Sequence, residues 1–73
     1  MTEFPKDKEK IRKIYETVKN DEFPVIIGSL ARTIVYALMA KSGDKMAAMN
    51  ALFRVHEFQA ELMRETDIKD DMP

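Results

Sequence analysis

The apolar residues of this chain fall into three stretches with different spacing. In "PKDKEKIRKIYETVKN", Ile11, Ile14, Tyr15 and Val18 recur at i, i+3, i+4 and i+7, which predicts an amphipathic helix over about 5–19 with one narrow apolar stripe. Across "VIIGSLARTIVYALMA", residues 25–40, eleven of sixteen positions are aliphatic or methionine, and Gly28, Ser29, Arg32, Thr33 and Tyr36 share one strip. A helix over about 23–41 that is apolar round most of its circumference needs neighbours on several sides. The third stretch predicts a helix over about 44–65. Asn50, Arg54, Glu57, Glu61 and Arg64 form its polar stripe and Ala48, Leu52, Val55 and Leu62 an apolar one. Met49, Phe53, Ala60 and Met63 make a second apolar row beside the first. The tail, 66–73, reads as solvated and disordered.

Pro5 and Pro24 each stand in the tripeptide "EFP", and proline suits a first helical turn, so each copy is expected to open a helix. Asp21 is the expected cap of the second helix. Gly28 costs about 1 kcal/mol against alanine inside a helix, and a close approach by a neighbouring backbone would offset that. Methionines 39, 46, 49 and 63 are read as core, with an adaptable binding surface as the alternative. The expected fold is all-α: a helical hairpin with an accessory N-terminal helix, in one domain spanning 1–73. The first helix can shield one leftover apolar row but not both, which points to a homo-oligomer; a self-contained three-helix monomer is the alternative.

Size sharpens that expectation. A chain of 73 residues hides only about 60% of the surface its unfolded form exposes, so sister copies would enlarge a marginal core. Cysteine is absent, which excludes disulfides and thiolate chemistry and fits a reducing cytoplasm. The start lacks the apolar segment of a secretory signal, and no run is read as long enough to span a bilayer, so a soluble protein without a membrane partner is expected. Twelve basic against thirteen acidic residues argue against a general binder of nucleic acid polymers. The basic groups gather early, six against four acids in 1–20, but Asp7 and Glu9 interleave with Lys6, Lys8, Lys10, Arg12 and Lys13.

Little here suggests catalysis. No context marks Ser29 or Ser42 as an activated nucleophile. His56 with Glu57 and Glu61 makes ordinary helix decoration, so no metal, no cofactor and no enzyme activity are expected. The stretch "AKSGDKMA", 40–47, carries two readings. Gly43 suits the left-handed residue that closes a helix, and Asp44 or Ser42 can cap the next one. Lys41 and Lys45, however, flank a helix start whose free amides favour anions, so a phosphate could sit there in competition with Asp44.

From about 41 to 64, "KSGDKMAAMNALFRVHEFQAELMR" resembles the second arm of the helical hairpin in phage cyclic-nucleotide sponges, proteins that sequester the signals of CBASS and, in a related branch, Thoeris defence. The short charged turn, Lys45, Ala48 and Leu52 on one face, the second apolar row and Arg64 carry the resemblance. It implies a compact helical oligomer, a hexamer, in the host cytoplasm. It further implies that cyclic di- or trinucleotides bind at sites shared between copies, with a ring stacked on a base and cations on the phosphates. Tyr15 or Tyr36 would supply the ring, and Lys19, Arg32, Lys41, Lys45 or Arg64 the cation. The expected function is therefore ligand sequestration without catalysis. The runner-up is a small inhibitor or adaptor that lays its spare apolar row on a host protein, and a DNA-binding regulator stands third.

Overall fold

The computed structural model describes residues 4–70 and Met72, and these fold into three helices with no strand. Helix α1 spans Lys8–Val18, α2 Phe23–Ser42 and α3 Lys45–Glu65. The all-helical class and the second and third boundaries agree with the sequence pattern. The first helix begins three residues later than expected. Pro5 stays outside it, and Asp7 supplies the cap, its Oδ1 accepting the Lys10 backbone N–H at 3.0 Å. The two "EFP" copies thus act differently, and only the second opens a helix, with Pro24 in the first turn where its missing N–H leaves no partner unmet. The cap of α2 is Glu22 rather than Asp21, and its side chain makes no capping bond.

The α2–α3 connection is two residues long. Gly43 has φ 66°, a left-handed value that costs a residue with a Cβ, and its N–H closes α2 onto the Met39 carbonyl at 3.2 Å. Asp44 then caps α3, its Oδ1 accepting the Met46 N–H at 3.3 Å, while Ser42 belongs to the last turn of α2. Gly43→Ala is expected to lower stability by about 1 kcal/mol, measured as a drop in urea midpoint at unchanged slope.

α2 and α3 pack against each other. On α2, Ile26, Leu30, Ile34 and Leu38, each four residues from the next, are half-buried; on α3, Ala48 is buried and Leu52 and Val55 are half-buried. Among the described residues Val18, at the end of α1, is the other buried apolar residue, and Tyr15 one turn before it is half-buried. No residue of α2 is fully buried. The chain is accordingly open, with a Cα radius of gyration of 13.4 Å against about 11 Å for a globular chain of this length.

Three expectations are corrected by this openness. Within a single chain the methionines are not core: Met39, Met46, Met49 and Met63 are all exposed, Met63 to 82%. Gly28 admits no neighbouring backbone; the guanidinium of Arg32 folds back over it and donates to the Gly28 carbonyl at 3.2 Å, where a Cβ would stand 3.1 Å from Arg32 Nη1. And α2, at 20 residues, is long and apolar enough to cross a membrane by length and composition, where the sequence pattern had suggested no run that long. Of the tail, 66–70 lie outside the helix, with the Asp67 carboxylate accepting the Lys69 N–H at 2.8 Å; residues 71 and 73 lie outside the described residues.

Candidate functional site

The seven candidate ligand residues occupy four places on the chain. Tyr15 lies on α1 and Lys19 just past its end; Arg32 and Tyr36 stand four apart on the polar strip of α2; Lys41 and Lys45 flank the hinge; Arg64 is in the last turn of α3. Lys45 and Arg64 stand nineteen residues apart on one helix, a separation of about 28 Å. A single copy therefore does not gather the cations into one pocket. It gathers Lys41 with Lys45 at the hinge and Arg32 with Tyr36 at mid-helix.

Each pair has a local constraint. At the hinge, the Asp44 carboxylate already engages an α3 amide that a phosphate would use, so an anion must displace or share that bond. Lys41 in the last turn of α2 is also placed to complement the negative end of that helix. At mid-helix, Arg32 is tied to its own backbone through Gly28, and Tyr36, 66% exposed, is the most accessible tyrosine ring. The cations of α1 are partly neutralised within the helix. Arg12 pairs with Glu9 and, at 2.8 Å, with Glu16, and these carboxylates raise the guanidinium pKa above its ordinary value.

A groove that the sequence pattern did not predict lies between the N-terminal segment and the second half of α3. Its volume is about 930 Å³. Phe4 stacks obliquely on Phe58, ring centroids 5.0 Å apart and planes tilted by 48°, a favoured aromatic geometry. Ile11 and Leu62 extend the apolar lining, and Glu57, Glu61 and Glu65, one turn apart, add three carboxylates. Lys6 and Arg54 also line the groove, so its charges nearly balance and a polyanion gains no advantage there. None of the seven lines it. The sequence signal for it was weak: Phe4 is a lone aromatic ahead of α1, with no periodic partner near it in the chain.

Among the described residues, no three His, Cys, Asp or Glu side chains come together in a way that could hold a metal ion. In comparisons with known proteins, the chain matches no family model, no curated protein and no solved structure.

Proposed function

We propose that this chain is the subunit of a non-enzymatic helical assembly that works by binding and holding a ligand, and that the ligand class is a cyclic di- or trinucleotide signal sequestered in the host cytoplasm. One observation carries the assembly: α2 is apolar over most of its length, yet none of its residues is buried in the single chain. The hairpin of α2 and α3, with α1 as accessory helix, is then a half-built core that further copies complete. The ligand class rests on the residues the chain leaves accessible. Tyr36 offers a ring for stacking, where one base contributes about 1–3 kcal/mol, and Lys41, Lys45 and Arg64 offer charge to phosphates. Because Arg64 stands at the far end of α3 from the hinge lysines, a site that uses both ends is shared between copies.

The same exposed apolar surface supports a second reading, a small inhibitor or adaptor that docks on a host protein. Thermal-shift measurements separate the two. Under the sequestration reading, a ligand present at a hundred times its Kd stabilises the protein by about 2.7 kcal/mol, and the melting temperature rises for at least one member of a cyclic di- and trinucleotide panel. The double variant Lys41→Glu, Lys45→Glu is expected to lose that rise, and to melt somewhat below the parent without ligand because Lys41 no longer complements the end of α2. No rise across the panel, with a host protein co-purifying in fixed stoichiometry, moves the assignment to the inhibitor.

A further inference from the structure

We propose that the face of the α2–α3 pair opposite α1 is the docking surface for a second copy of this chain, and that the two copies stack face to face about a two-fold axis perpendicular to the helices. The proposal rests on the chain's being an assembling subunit and names the face, the partner and the orientation.

The face follows from helix geometry. On α2 the contact strip is Ile26, Leu30, Ile34 and Leu38, and the exposed apolar row Ile27, Ala31, Val35 and Met39 stands one residue after it. On α3 the contact strip is Ala48, Leu52 and Val55, and the exposed row Met49, Phe53 and His56 again stands one residue after it, with Met63 two turns further on. One residue is a rotation of about 100°. Helices joined by a two-residue turn and packed together run antiparallel, and viewed from one end they wind in opposite senses. Both rows therefore emerge on the same side of the pair. The N-terminal segment lies over the other side, where Phe4 meets Phe58 and where Arg54, one residue before Val55, lines the groove with Glu61. The apolar side is left bare, with Phe53 exposed to 64% and Met46 to 65%.

The area fits a partner subunit. The chain exposes 6688 Å², about 2,000 Å² more than a compact monomer of 8.5 kDa would. A standard interface removes about 800 Å² per partner and an obligate homodimer about 1,000–2,500 Å², so the surplus is large enough to supply such an interface.

The spacing fixes the orientation. Met46, Met49, Phe53, His56, Ala60 and Met63 alternate steps of three and four, the seam of a coiled coil. Run antiparallel against itself, the row places Met46 opposite Met63 of the partner subunit, Met49 opposite Ala60 of the partner subunit, and Phe53 opposite His56 of the partner subunit. The α3 row is centred between Arg54 and Val55 and the α2 row on Thr33, nearly equal counts from the hinge, so one axis serves both rows and the product is a four-helix bundle. Arg32 stands one residue after Ala31, on the outer flank of the row and opposite the α3 contact, whereas insertion of α2 into a bilayer would carry its guanidinium to mid-membrane, where charge is costly. The pairing also sets Lys45 level with Arg64 of the partner subunit, joining at each end of the bundle two cations that one copy holds apart.

The chain has no cysteine, which makes the test direct. Met49→Cys and Ala60→Cys change exposed positions and are purified separately. Oxidised alone, each stays a single chain on a non-reducing gel; mixed in equal amounts, they give a product of twice the mass. Sedimentation of the parent protein is measured beside them. Assembly without the mixed product, or with either variant linking to itself as readily, overturns the face and orientation but leaves the subunit reading intact. A single-chain mass at every concentration, or a monomer that partitions into phosphatidylcholine–phosphatidylglycerol vesicles, overturns both.

Discussion

Diluting the protein a hundredfold is expected to lower its melting temperature by about 5–10 °C. If folding is completed by a second copy, chain concentration enters the unfolding equilibrium as a ligand does, and a hundredfold change is worth about 2.7 kcal/mol. For a folded unit of about 150 residues each kcal/mol moves the midpoint by roughly 2–4 °C, which gives that range. A lone three-helix chain has no such dependence, because both sides of its equilibrium are first order. The measurement is a pair of circular-dichroism melts at equal scan rates, and coincident curves would show that the exposed rows of α2 and α3 need no partner.

Ala48→Glu is expected to remove about 3 kcal/mol or more, enough to abolish a cooperative transition in a domain this small. Ala48 is 5% exposed where α3 meets α2. A longer side chain must displace its neighbours there and carry a carboxylate into a poorly solvated contact, the kind of change that gives the largest single-site losses. The adjacent Ala47→Glu is the control. Ala47 is exposed on the same helix, and glutamate is a good helix former, so its effect is expected within about 0.5 kcal/mol. Urea titrations of both variants at one protein concentration check the contrast, and equal losses would mean that Ala48 is not where the two helices meet.

Much of the fold was legible because it is written locally. The hinge is visible in Gly43 and Asp44, one supplying a left-handed residue and the other a cap, and the third helix was bounded to within a residue. The start of α1 was misplaced because two acceptable openings, Pro5 and Asp7, lie two residues apart, and the side-chain acceptor of Asp7 prevails. What a 3.6-residue period cannot report is which of two apolar rows a single chain covers. Met49 and Phe53 belong to as good a stripe as Ala48 and Leu52, yet the first pair is exposed and the second buried or half-buried. The groove escaped for a related reason, since its floor joins Phe4 to Phe58 across most of the chain.

The shortness of the hinge has a topological consequence. From Phe23 to Glu65 the backbone is helical except at Gly43 and Asp44, so a change of dihedral angles at those two positions would turn the bent unit into one straight rod of about 65 Å. Two such rods lying side by side could exchange arms and remake the contacts of two bent ones. A glycine at that point does more than permit a bend; it biases the choice between a closed subunit and an arm-exchanged pair built from the same contacts.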